Sequence, residues 1–94
     1  MKEPPAKIDG AKVIEWAWSG EQPFGYVRYS NGEVAAEIFG LALCKYEGQN
    51  TFYRFSCDKN WETQQDSDYV SLEDAKGSLP QQYLNVLPLW QNYD

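Results

Sequence analysis

Residues 24–57 read FGYVRYSNGEVAAEIFGLALCKYEGQNTFYRFSC. Two turn signals cut this stretch into strand-like runs, and how those runs pair decides the fold. FGYVRYS (24–30) alternates apolar and polar positions, the period of a half-buried strand. Asn31-Gly32 then supplies the strongest short hairpin signal in the chain, because both central positions of a type I′ turn need positive φ. The run EVAAEIFGLALCKY that follows has 14 residues, against a usual maximum of about ten for one strand. A helix competes for it, since EVAAEIFGLAL is rich in good helix formers. Asn31-Gly32 before it, Gly40 within it and Glu47-Gly48-Gln49-Asn50 after it favour two linked strands bent at Gly40. TFYRFSC (51–57), aromatic and β-prone, reads as the next strand.

Paired residues of antiparallel strands share a face, so the turns predict the faces. A two-residue turn at Asn31-Gly32 sets Ser30 opposite Glu33, Arg28 opposite Ala35, Tyr26 opposite Glu37 and Phe24 opposite Phe39. A loop at 47–50 sets Cys44 opposite Tyr53, Ala42 opposite Phe55 and Gly40 opposite Cys57. One face is then Val27, Tyr29, Val34, Ala36, Ile38, Ala42, Cys44, Tyr53, Phe55 and Cys57, the expected core face on which helices pack. The other carries Phe24, Tyr26, Arg28, Glu33, Glu37, Phe39, Leu41, Leu43, Phe52 and Arg54, joined by Trp16 and Trp18.

Working outward, KVIEWAW (12–18) reads as an earlier strand and SGEQP (19–23) as its turn. Residues 1–10 hold Pro4, Pro5 and Gly10 with a single apolar Ile8, and read as a flexible arm. Downstream, Asp58-Lys59-Asn60 turns the chain into WETQQ (61–65), whose polar residues suit an edge strand. Ser71-Leu72-Glu73-Asp74 is a near capping box, with Ser71 as cap and acids in the first turn. Leu72, Ala75, Leu79, Tyr83 and Val86 form an apolar stripe at helical spacing. Gly77 closes a first helix, Ser78 caps a second with Pro80 in its first turn, and the apolar tail NVLPLWQNYD docks on the body. The expectation is an α+β domain over 11–94: an antiparallel sheet of four or five strands in meander order, with one or two short C-terminal helices on one face.

Composition bounds the function. The 94 residues contain 8 Lys and Arg, 14 Asp and Glu, and no His, so imidazole-dependent hydrolysis and histidine metal sites are excluded. No GxxxxGK[ST], GxGxxG or GxSxG motif is present, which leaves phosphate-loop and hydrolase readings without support. Asp58-Lys59-Asn60-Trp61-Glu62 begins like a calcium loop, but Thr63 and Tyr69 stand where that loop needs Gly and Glu. Cys44 and Cys57 fit no redox or zinc spacing and read as buried reduced thiols. Neither a cofactor nor a metal is expected. The first 57 residues are nearly neutral. From Asp58 on, seven acids face only Lys59 and Lys76, so five of the six net negative charges lie in the last third. With no cluster of Lys and Arg along the sequence, nucleic-acid binding is not expected. No apolar run approaches a membrane span, and no leader-like stretch opens the chain; the expected location is the cytoplasm.

Two sets of binding residues stand out. On the aromatic sheet face, Trp16, Trp18, Tyr26, Arg28, Glu37 and Phe39 combine the residue types of interface anchors. A homodimer through that face or the adjoining edge is expected to cover it. In the acidic region, Trp61, Asp66, Asp68, Tyr69 and Asp74 combine charge that steers a basic protein partner with aromatic anchors; the same charge also serves plain solubility. No catalytic residue is assigned. The alternative is a small-ligand module or carboxylate enzyme using Glu33 and Glu37 in an aromatic pocket, although cross-strand salt bridging of those acids with Arg28 accounts for the same residues.

FYRFSCDKNWETQQDSDYVSLEDAK (52–76) combines an aromatic strand, an Asp-x-Asn-Trp-Glu turn and a Ser-capped acidic helix. In that style it resembles small uncharacterised bacterial proteins, similar in size and acidity to toxin immunity proteins and to orphan products of mobile gene cassettes. The resemblance implies a non-enzymatic accessory protein and assigns no residue a role.

Overall fold

The computed structural model describes residues 2–93. Its elements are β1 (Lys7–Ile8), β2 (Ala11–Trp18), β3 (Gly25–Arg28), β4 (Val34–Ile38), β5 (Gly40–Lys45), β6 (Phe52–Cys57), β7 (Thr63–Tyr69), α1 (Leu72–Gly77), a 3-10 turn (Gln81–Tyr83) and β8 (Gln91–Asn92). The fold is α+β, built on a curled antiparallel sheet in the order β1-β2-β5-β6-β7, with β8 also pairing β2. Strands consecutive along the chain are neighbours in this sheet except where the β3–β4 hairpin leaves it as a separate two-stranded ribbon and where the chain returns from β7 to lay β8 against β2.

The long run 33–46 breaks where expected, between β4 and β5 at Phe39-Gly40. Gly40 is required by close approach: a Cβ there would overlap the ring of Trp61. The β5–β6 register is the one the sequence predicts, with Gly40 opposite Cys57, Ala42 opposite Phe55 and Cys44 opposite Tyr53. In the hairpin, Tyr26 faces Glu37 as expected, but a bulge after Val27 sets Arg28 opposite Val34 instead of Ala35. The cause is the turn. Tyr29 accepts from the Gly32 amide and donates to Glu33, and only Gly32 takes positive φ. The turn therefore spans 29–32 and is not a two-residue type I′ turn on Asn31-Gly32.

Residues 4–8, read as part of a mobile arm, are docked instead. Pro4 and Ile8 are buried, the Val13 amide donates to Ala6 O, and β1 pairs β2. Ile8 in the core, buried Pro4 and the backbone pairing together hold the short strand against β2.

The two faces are also filled differently from expectation. Trp16 lies opposite Ala42, and Trp18 opposite Gly40, so both tryptophans share the face of Ala42, Cys44, Phe55 and Cys57. A bulge between Val13 and Glu15 brings Val13 to the same cluster. The helical segment covers the opposite face, that of Leu41, Leu43 and Arg54. There Phe24, Ile38, Ala17, Leu41 and Tyr83 form a second core with Leu79, Val86 and Trp90 against it. The Ser71 hydroxyl caps α1 by accepting from the Asp74 amide at 3.1 Å, and Pro80 precedes the 3-10 turn. Both faces of the central strands thus carry core clusters, while the β3–β4 hairpin keeps Tyr29 and Val34 exposed.

Arg54 pins α1 to the sheet. Its guanidinium, 3% exposed, donates through Nη1 to Ala75 O at 2.8 Å and stacks 5.0 Å from the Tyr69 ring centroid. The helix thus gains a donor for a carbonyl of its last turn. Burial lowers the Arg54 pKa, and Tyr83, whose hydroxyl donates to Gln65, is raised by burial.

Candidate functional site

Of the aromatic-face residues, Trp16 and Phe39 are buried and Trp18 is partly buried. Trp61 wedges against both tryptophans, with ring centroids 6.3 Å from Trp16 and 5.6 Å from Trp18, while Trp18 lies 5.8 Å from Phe39. These rings are consumed in the core, so they do not form an exposed patch. Tyr26, Arg28 and Glu37 sit on the hairpin, apart from that cluster. Arg28 rests 5.6 Å from the Tyr26 ring centroid and donates to Gly32 O at 2.9 Å. The expected salt bridges of Arg28 with Glu33 and Glu37 are not formed, and Lys76–Glu15 at 2.7 Å is the ion pair found among the described residues. Both acids are exposed. Glu37 lines an open cleft of about 320 Å³ with Phe39, Asp58, Lys59 and Gln64; Arg54, which the sequence placed beside them, is buried under α1.

In the acidic region, Trp61 is 6% exposed and belongs to the core, which corrects its reading as a surface anchor. The cause is local. Asp58 Oδ1 accepts from the amides of Asn60 and Glu62 at 2.8 and 3.0 Å, its Oδ2 accepts from Gln64, and Trp61 adopts φ 60 inside this tight loop. The side chain that opens like a calcium ligand therefore serves as loop scaffold. Asp68, Tyr69 and Asp74 are brought together at the sheet edge, while Asp66 lies further along β7. β7 is the last strand in the sheet order and, among the described strands, pairs only β6. Asp66 and Asp68, opposite Phe55 and Tyr53, are exposed along it. Asp68, Tyr69 and Asp74 line a shallow cleft of about 350 Å³ with Thr51, Val70 and Ser78, beside which Val70 is 83% exposed. No group of three or more metal-ligating side chains occurs among the described residues.

Cys44 and Cys57 are free and buried, and their thiols are pushed up to about 12. Burial is the main cause for both; the neighbouring Cys57 adds to it for Cys44, while a Thr63 hydrogen bond partly offsets it for Cys57. Thiolate chemistry is suppressed at neutral pH.

Sequence reasoning missed one group. Lys7, Lys12 and Lys45 line a groove of about 650 Å³ with Val13, Ile14, Tyr46, Glu47 and Tyr93. No signal along the chain marks it, because β2 meets β5 only across the inserted hairpin.

Comparison with protein-family models, with curated proteins and with solved structures yields no match. No helix among the described residues is long and apolar enough to cross a membrane.

Proposed function

We propose that the chain is a non-enzymatic binding protein that docks a basic protein partner on the β7 edge, in the manner of a toxin immunity protein. The observation that carries this reading is the edge itself. β7 runs for seven residues as the outermost strand, its outer backbone groups pair with no described strand, and Asp66 and Asp68 stand on it with Asp74 nearby. An extended segment adding to a sheet edge gains backbone hydrogen bonds, and side-chain chemistry selects the segment. Here the acids select Lys and Arg, while Tyr69 and Val70 offer apolar contact at one end. The same acids disfavour pairing between two copies of β7, since like charges would face each other. Long-range attraction speeds encounter and is screened by salt.

The test is capture from a bacterial lysate at low and high salt, with D66N/D68N/D74N as control, followed by titration of the captured partner. The expected result is a basic partner lost both in high salt and with the variant. A partner indifferent to both, or specific binding of a metabolite in the Glu37 cleft, overturns the reading.

A further inference from the structure

At the opposite edge of the same sheet, Lys7 pairs Lys12 and Lys12 pairs Lys45 in direct cross-strand register. Neighbouring strands lie about 4.8 Å apart, so the three positions span roughly 10 Å across β1, β2 and β5. Like charges on directly opposed residues destabilise a sheet. The chain has 14 acids, yet none of the three lysines forms an ion pair among the described residues. Protection of an exposed edge accounts for a lysine on β1, but β2 and β5 are interior strands. Lys45 Nζ rests 5.6 Å from the Phe52 ring centroid, and Glu47 is the one carboxylate among the described residues that line the groove.

The groove has a structural origin. β1 pairs the start of β2, at Ala11 and Lys12, and β8 pairs its far half, at Glu15 and Trp16. Between them lies the β2 bulge at Val13–Glu15, so the outer side of β2 is divided between two short strands. Tyr93, whose amide donates to Ile14 O at 2.9 Å, and Tyr46, whose hydroxyl donates to Asp9 O at 3.1 Å, supply aromatic walls.

We propose that this groove binds a linear triphosphate, with one ammonium for each phosphate group. Lysine binds phosphate as a point charge, whereas planar carboxylates favour the fork of arginine. Lysines at three positions in cross-strand register, all lining one groove, suit a chain of anions better than a single one. The proposal rests on residues remote from β7 and stands independently of the docking reading.

Calorimetric titration with inorganic tripolyphosphate, a nucleoside triphosphate, citrate and sulfate tests it, together with backbone amide shifts. Tripolyphosphate is expected to bind one to one, shifting residues 7–14, 45–48 and 93, and at least tenfold more tightly than sulfate or citrate. K12Q/K45Q should lose at least tenfold in affinity without lowering the melting temperature, while K59Q stays within twofold of the parent. A nucleoside triphosphate binding more tightly than tripolyphosphate supports the assignment and identifies a nucleotide through the tyrosine walls. One binding equally or less tightly supports it with the inorganic chain as the source. Absence of binding, citrate binding as tightly, equal loss in K59Q, or shifts confined to other residues would overturn it.

Discussion

The two edges of the curled sheet are built from opposite materials. β7 is long and acidic, with one bulge at Gln64 near its start, and its outer side pairs with no described strand. The β2 side is divided between β1 and β8, two residues each, and carries lysines in register. Both edges hang on β5 and β6, whose faces are filled by Trp16, Trp61 and Phe55 on one side and by Leu41, Tyr83 and the Arg54-pinned α1 on the other. The contrast teaches where a chain of this size keeps surface for recognition. The aromatics that resemble anchors are needed inside, because a small domain has little else to bury, and recognition falls to the charged margins.

Arg54→Ala should upset the balance between the two edges most severely, because Arg54 lies on β6 beside the acidic edge and holds α1 against it. Losing the buried hydrogen bond and the packing of its stem should cost about 3 kcal/mol in urea unfolding. Proteolysis should open residues 70–78 before it opens β1. A loss below about 0.5 kcal/mol, the range of an ordinary surface change, would mean that α1 is held by something else.

Cys44 and Cys57 lie between the edges and should weaken both alike as pH rises. Below pH 9 both folded and unfolded thiols keep their protons. Above it the unfolded chain releases protons that the native chain, with thiols at about 12, retains. The unfolded state then binds fewer protons, so stability falls with rising pH, by about 3 kcal/mol between pH 8 and pH 10. The C44A/C57A variant should lose most of that slope; Tyr83, also raised by burial, accounts for the remainder. A native chain whose thiols react rapidly with iodoacetamide at pH 8 would contradict their burial.

Ser71→Ala should affect the acidic edge alone and produce the smallest change. It removes the α1 cap and should cost about 1 kcal/mol. Hydrogen exchange should quicken at residues 74–77 while the amides of β1 and β2 keep their rates. Equal quickening at both edges would show that the acidic margin is not a separate unit.

Much of the fold is legible in the sequence. The β5–β6 register is fixed by a hydrophobic pattern with one good turn, and the Ser71 cap by a local chemical signal. The face of Trp16 and Trp18 was not legible, because it depends on β2 pairing β5 after the hairpin departs, and on a bulge that no residue type announces. Trp61 reads as exposed because its loop is polar; only the space left by Gly40 and the Asp58 hydrogen bonds turn it inward. Asp66, Asp68 and Asp74 were readable as a charge excess, since they are close in sequence. Lys7, Lys12 and Lys45 were not, since only tertiary pairing gathers them.

The most direct test of the docking account is residue-resolved amide exchange of the chain with and without a Lys- and Arg-rich extended peptide at low salt. The account predicts new protection at alternate residues of β7, loss of that protection at high salt and in D66N/D68N, and unchanged rates in β1 and β2. Protection that appears at the lysine edge or on the β3–β4 hairpin, with β7 unaffected, would contradict it.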